Sequence, residues 1–316
     1  MPIVPRLERG ARIVGWGSYL PPKVLTNADL EKMVDTSDDW IVERTGIRER
    51  HVGGSTVGMS IESGRRAIAK SGLRPEDIGA VVIATTTPDR QWGTAATVQN
   101  ELGLRCGAFE INAACSGFVY ALVVANGLIQ LGMENVLVIG TDTLSRITDW
   151  TDRNTAVLFG DGSAAVVLSA VDGPGQLIAW DIDADGSAGP ILFCEIGGTI
   201  QMEGKEVYRR AVRIMVDSAQ KSMQHAGVTG EDIRMLIPHQ ANVRIITAAC
   251  DRLGIEAERT AVVLDRTGNT SAASIPLALI DAIDAGRLAD GDLVLLVGFG
   301  GGMTAASAII RWGGSQ

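Results

Sequence analysis

A cysteine where two apolar runs meet, a histidine directly after a third, and an asparagine beside a glycine have types and placements that suit covalent chemistry in this 316-residue chain. Cys115 lies in residues 111–133, where no charge occurs between Glu110 and Glu134. Ala108-Phe109 and residues 111–114 read as a buried strand, and Ser116-Gly117 as the turn into a helix with no polar face. Cys115 is then expected where a central strand ends and a buried helix begins. The free N–H groups and positive dipole end of a helix N-terminus favour thiolate, the nucleophilic form of cysteine. A free cysteine is equally at home, and inert, in a core.

The chain has three histidines, and only His239 follows an apolar run, Met235-Leu236-Ile237-Pro238. A histidine at a strand end stands where loops assemble sites. Asn269 follows Gly268 after a predicted strand over residues 261–264. It suits either a left-handed turn or a side-chain donor to an oxyanion. Gly298-Phe299-Gly300-Gly301-Gly302 follows a strand over residues 293–297 and lets backbone N–H groups approach a ligand oxygen. Without a following Lys-Ser/Thr it is no P-loop, and it is a poor dinucleotide fingerprint. Trp40, among the closely spaced arginines of residues 35–50, suits stacking on a planar ring with arginine forks on phosphate. It also suits a solvated helix whose tryptophan packs inward.

An internal echo positions these residues. Ser71-Gly72 through Glu76-Asp77-Ile78, with Val82-Ile83 beyond, recurs as Ala226-Gly227 through Glu231-Asp232-Ile233, with Leu236-Ile237 beyond, an offset of 227 − 72 = 155. Leu137-Val138-Ile139-Gly140 recurs as Leu295-Leu296-Val297-Gly298, an offset of 298 − 140 = 158. A duplicated unit of half the chain follows, with halves at 1–172 and 173–316, rather than a solenoid of short repeats. Strands alternate with helices in each half, which predicts two α/β units with mostly parallel sheets packed through buried helices. The uncharged helix after Cys115 is expected to be buried on all sides there. It is too short for a membrane, since residues 116–131 span roughly 24 Å against a hydrocarbon core of about 30 Å.

Hydrophobic residues make up 46% of the chain and aromatics 4%, so the core must be aliphatic. A net charge of -9 without a basic tail argues against nucleic acid as the main ligand. The four cysteines form no CxxC pair, so neither a zinc site nor a disulfide framework is expected. The N-terminus lacks the pattern of a secretory signal, and a cytoplasmic protein is expected.

Six fragments together resemble the β-ketoacyl-acyl-carrier-protein synthase III family of thiolase-like condensing enzymes. They are Asp38-Asp39-Trp40-Ile41 with Arg44-Thr45-Gly46-Ile47, Ala113-Ala114-Cys115-Ser116-Gly117-Phe118, Phe159-Gly160-Asp161-Gly162, His239-Gln240-Ala241-Asn242, Gly268-Asn269-Thr270-Ser271-Ala272-Ala273-Ser274, and the glycine loop from Gly298. The resemblance covers nearly the whole chain and implies a layered α-β-α-β-α fold with two mixed, mostly parallel sheets. It implies Cys115 as acyl-accepting nucleophile, with His239 and Asn269 holding the enolate formed when malonyl-carrier protein loses carbon dioxide. Backbone N–H groups of Cys115 and Gly301 would form the oxyanion hole, and Phe299 would give the departing carboxylate an apolar neighbour.

The resemblance also maps acyl-CoA onto Trp40, Arg44, Arg153 and Asn242, and the acyl-pocket loop onto Trp92, which in the family reaches across a dimer. Bulky Trp92 then implies a short or unusually shaped primer. Arg209, Arg210, Arg213 and Arg244 would receive an acidic carrier protein, or form a solvated helix face. No cofactor or metal is implied, and a homodimer is expected. Gln91-Trp92-Gly93-Thr94, Met303-Thr304-Ala305-Ala306 and Asp251 depart from the usual family pattern. They leave open a specialised starter-loading acyltransferase of secondary metabolism. A cysteine hydrolase using Cys, His and Asn, or a non-catalytic acyl-CoA binder, are the competing classes.

Overall fold

The computed structural model describes residues 9–313. Among these residues, thirteen strands form two large sheets and two small two-stranded sheets. Those of the first half are β1 (Arg9–Tyr19), β2 (Lys23–Thr26), β3 (Glu49–Val52), β4 (Ala80–Ala84), β5 (Gly107–Ile111), β6 (Asn135–Thr143) and β7 (Asp161–Asp172). The second half adds β8 (Leu177–Ala184), β9 (Leu192–Cys194), β10 (Ile200–Met202), β11 (Ile233–Pro238), β12 (Leu293–Gly300) and β13 (Thr304–Arg311). One sheet has the order β1-β7-β6-β4-β5 and the other β11-β12-β13-β8, while β2-β3 and β9-β10 are the two-stranded sheets.

The two sheets follow one plan, with β4, β6, β7 and β1 matched by β11, β12, β13 and β8. The echoed glycines explain why it is legible in the sequence. Gly72 and Gly227 both end a helix in the left-handed region, at φ +74° and +70°, which glycine adopts without steric cost. Gly140 and Gly298 lie in matched strands at close approaches. A Cβ on Gly140 would come within 2.3 Å of the Ala272 carbonyl oxygen, and one on Gly298 within 3.5 Å of the Cys115 carbonyl oxygen. Each sheet thus lets a loop from the other half reach its face.

Helices Gly117–Gln130 and Ser274–Asp284 share one apolar cluster with both sheets, including Val138 and Val166 from one and Ile237 and Leu296 from the other. Alternate strand residues face outward. Val81 and Ile139 pack with Ala67 and Ile68 of helix Thr56–Ser71. Leu236 and Val297 pack with Met215 of helix Gly204–Ala226 and Ile246 of helix Val243–Leu253. The result is five layers, α-β-α-β-α. Strand β4 is buried at every residue because it is covered on both faces.

Four expectations need correction. Parallel pairing is confined to β5-β4-β6 and β11-β12, and the other pairs within the large sheets are antiparallel. Strand β5 is an edge strand rather than a central one, with Phe109 37% exposed. Residues 261–263 form no strand; the counterpart of β5 shrinks to a single bridge between Leu236 and Thr260, and a helical turn, Leu264–Thr267, follows. Helix Gly117–Gln130 buries one side, but Val124 stays 39% exposed in the single chain. Its lack of polar residues therefore does not mean burial all round.

Candidate active site

Cys115 sits in the tight turn Ala114–Ser116, which leads directly into helix Gly117–Gln130. The turn starts with Ala114 at φ +47°, and the other non-glycine residues with positive φ among those described are Ser271 (+50°) and Met303 (+47°). Each lies in a tight turn, and the Ala114–Ser116 turn packs on both Ser271–Ala273 and Gly301–Met303. Such conformations cost about 1–3 kcal/mol each and persist where surrounding contacts enforce them. Here they are enforced by Ser116 Oγ against Thr304 Oγ1 at 2.8 Å, Thr304 Oγ1 donating to the Ala113 carbonyl at 2.9 Å, and Ser271 N–H donating to Asn269 Oδ1 at 2.9 Å.

Gly300 faces the same turn. A Cβ there would stand 2.5 Å from Cys115 N and 2.7 Å from the Ala114 Cβ. Gly300→Ala must therefore displace the backbone N–H beside the sulfur. Loss of one such preorganised donor costs about 10²–10³-fold in kcat. That drop is expected for G300A, with a stability loss of about 1–3 kcal/mol from overpacking, measured by steady-state kinetics and urea unfolding.

His239 follows β11 directly, and its N–H donates to the Val297 carbonyl at 2.8 Å. The ring is 1% exposed, meets Phe299 edge-on at 5.4 Å, and has Nδ1 2.6 Å from Ser274 Oγ. A Cβ on Gly298 would lie 3.5 Å from both the Cys115 carbonyl oxygen and the His239 Cβ, so the two residues flank this glycine. Asn269 is clamped by its backbone, its N–H donating to Leu158 O and its C=O accepting from Gly160 N–H, each at 2.9 Å. Neither His239 Nε2 nor Asn269 Nδ2 has a partner among the described residues. Neither is one of the sealed polar atoms lacking one, so both remain open to a ligand.

Burial pushes the Cys115 thiol up to about 12, assisted by the Asp142 carboxylate and opposed by the Ser271 hydroxyl. Burial holds His239 down at about 3. The expected resting thiolate is thus corrected: burial keeps Cys115 a neutral thiol and His239 a neutral imidazole near neutral pH. Unfolding therefore takes up a proton on His239 below about 6.5 and releases one from Cys115 above about 9. Stability is expected to fall as pH drops from 6.5 toward 3 and again as it rises from 9 toward 12, by about 1 kcal/mol per pH unit from each group. Urea unfolding against pH checks this, with His239→Ala flattening the acid limb.

The guanidinium groups of Arg44 and Arg153 lie over the ring of Trp40, on helix Asp38–Thr45, at 4.7 and 4.2 Å from its centre. Asn242 caps helix Val243–Leu253, accepting from Arg244 N–H at 2.8 Å, and its Nδ2 donates to the Arg44 carbonyl at 2.9 Å. Its amide therefore ties the Trp40 cluster to the His239 loop, three residues or at most about 11 Å of chain away.

Trp92 stands apart from Cys115, 77% exposed beside an open depression formed with Arg90 and Thr97. Cys115 does not line that depression. The proposed basic patch is partly neutralised. Arg209 and Arg210 share Glu206, and Arg213 lies 3.5 Å from Asp217, whereas Arg244 packs over the Tyr208 ring.

Sequence reasoning assigned no role to Asp142, which is fully buried. Its Oδ1 accepts hydrogen bonds from Thr85, Thr86 and Thr87, and its Oδ2 from Ala272 N–H at 3.1 Å. The donors, rather than a cation, stabilise the carboxylate, which pins the Asn269 turn to the end of β4. The threonine run after a strand was the available signal.

Residues 109–186 match the family model described as 3-oxoacyl-[acyl-carrier-protein (ACP)] synthase III, and residues 223–312 match that of its C-terminal part. The chain is 48% identical to a β-ketoacyl-[acyl-carrier-protein] synthase III of Roseiflexus castenholzii, covering 96% of this chain and 98% of the relative. It is 45% identical to synthase III 1 of Bacillus anthracis, with coverage of 95% and 98%. Among solved structures, a 3-oxoacyl-[acyl-carrier-protein] synthase III from Aquifex aeolicus superposes with TM-score 0.93 at 44% identity, covering 96% of this chain and all of that one.

Proposed function

From its membership of the β-ketoacyl-acyl-carrier-protein synthase III family, to which the chain belongs, we propose how it acts as the initiating condensing enzyme of fatty acid synthesis. A short acyl-CoA and malonyl-carrier protein are the substrates, and Cys115 carries the acyl group between them. The observation that supports this best is the meeting of a helix-end cysteine and His239 at Gly298, with the Ser271–Ala273 turn that follows Asn269 packed on the Cys115 turn.

Cys115 Sγ attacks the thioester carbon. The developing oxyanion is held by the N–H groups of Cys115 and Gly301, the helix end favours the sulfur anion, and CoA leaves with the proton the thiol gives up. Malonyl-carrier protein then occupies the site. Its C–C bond to the carboxylate breaks and carbon dioxide leaves. The electron pair forms an enolate whose oxygen accepts hydrogen bonds from His239 Nε2 and Asn269 Nδ2. Phe299 offers the carboxylate an apolar neighbour, which favours its departure. The enolate carbon attacks acyl-Cys115, and the cysteine sulfur leaves and takes up a proton. Overall, acyl-CoA, malonyl-carrier protein and one proton give β-ketoacyl-carrier protein, carbon dioxide and CoA. No resident metal or cofactor is needed, because decarboxylation itself generates the carbanion.

Trp40 and Arg153 hold the adenine of CoA, with Arg44 and Asn242 at the mouth of the tunnel. The carrier protein docks through Arg244 with Arg209, Arg210 and Arg213. In a cytoplasmic homodimer, the exposed Trp92 enters the partner's acyl pocket and favours short primers. Among the described residues, no helix is long and apolar enough to cross a membrane. The specialised alternative is not favoured, since a priming ketosynthase of the R1128 polyketide pathway is only 32% identical. Intact-protein mass after incubation with a panel of acyl-CoAs tests the function. One acyl group is expected on the protein, discharged as β-ketoacyl-carrier protein when malonyl-carrier protein is added. A protein that loads but does not discharge refutes the condensing role.

A further inference from the structure

We propose that Ser274 is a positioning residue that donates its hydroxyl hydrogen to Nδ1 of His239, fixing the imidazole tautomer that carries hydrogen on Nε2. Ser274 opens helix Ser274–Asp284 and is 1% exposed, and its Oγ lies 2.6 Å from Nδ1. A hydrogen bond of that length puts one hydrogen between the two atoms, and the question is which atom owns it. If Nδ1 owned it, the serine hydroxyl hydrogen would need a second acceptor. Ser274 Oγ has no other hydrogen-bond partner among the described residues, and the serine is buried, at 1% exposure. That arrangement would leave a buried O–H unsatisfied, which proteins avoid. With the hydrogen on Oγ, both groups are satisfied. Nδ1 then accepts, and Nε2, the ring nitrogen left open, carries the second hydrogen.

The consequence divides the two half-reactions. Acyl transfer to Cys115 relies on backbone N–H groups and is indifferent to the tautomer. Enolate formation needs a hydrogen on Nε2. This inference rests on the reading of His239 as the enolate's donor, but the tautomer is measurable without turnover. Only three histidines occur, so ¹⁵N spectra of histidine-labelled protein resolve His239, identified by the signals lost in His239→Ala. An unprotonated Nδ1 and a protonated Nε2 are expected in the wild type at neutral pH; the reverse overturns the proposal whatever the activity.

Ser274→Ala is expected to yield a mixture of tautomers and to lower condensation about 10- to 100-fold. Acyl loading of Cys115 should stay within about twofold, which also reports an intact fold. Ser274→Thr, which keeps the hydroxyl, is expected to restore both the tautomer and most of the condensation rate. Unchanged condensation in Ser274→Ala overturns the proposal. So does equal loss of both half-reactions in Ser274→Ala and Ser274→Thr, which marks a purely structural role. Failure of the wild type to load Cys115 would instead refute the proposed function and leave the tautomer assignment to the spectra.

Discussion

Cys115→Ala abolishes acyl-enzyme formation and lowers condensation by at least about 10⁴-fold, the scale at which removing a covalent nucleophile leaves only binding and oxyanion stabilisation. The fold should survive, because the change removes a single sulfur atom and alanine already precedes it in the turn. Intact-protein mass and single-turnover kinetics check this together. An adduct on C115A would move the nucleophile elsewhere, to Cys106, Cys194 or Cys250. None of these is well placed. Cys106 precedes β5, Cys194 ends β9, and Cys250 lies inside helix Val243–Leu253 with its sulfur 3.3 Å from Thr260 Oγ1.

His239→Ala and Asn269→Ala leave acyl loading within a few-fold of the wild type and reduce decarboxylative condensation by about 10²–10³-fold each, the usual cost of losing one donor to a developing oxyanion. The double variant should fall less than the product of the two, because both donors serve one oxygen and act as a unit. Measuring carbon dioxide release separately from CoA release distinguishes the steps. Equal loss of both releases would make His239 a base for Cys115. Its depressed basicity, near 3 in the folded chain, argues for a donor instead.

Much of the fold could be read before any coordinates. The 155-residue echo placed His239 one step beyond β11, opposite the end of β4, because matched strands need the same apolar residues and their helices end on the same left-handed glycines, Gly72 and Gly227. The 158-residue echo had a less visible cause. Gly140 is a glycine because the Ala272 carbonyl of the other half approaches it, a relation between residues more than 100 apart in the chain. Local pattern failed where tertiary contacts overrode it. Residues 261–263 carry strand-forming side chains, yet Leu236 offers pairing only through Thr260, and the chain turns away into a helical turn.

The site divides in the same way. Residue type and spacing along the chain singled out Cys115, His239, Asn269 and the glycine loop as candidates, because nucleophiles and donors must stand at element ends, and element ends are written in apolar periodicity and glycine. The sequence also displayed Trp40 among its arginines. What it could not determine was the balance of fields at the sulfur. The Ser271 hydroxyl lowers the basicity of Cys115, while burial, with the Asp142 carboxylate, raises it to about 12. Nor could it pair Ser274 with His239 or Asp142 with the Asn269 turn, separated by 35 and 130 residues in their respective contacts. Helix ends arise within a dozen neighbouring residues, whereas desolvation and hydrogen-bond partners depend on everything packed around a group, and only the assembled layers decide them.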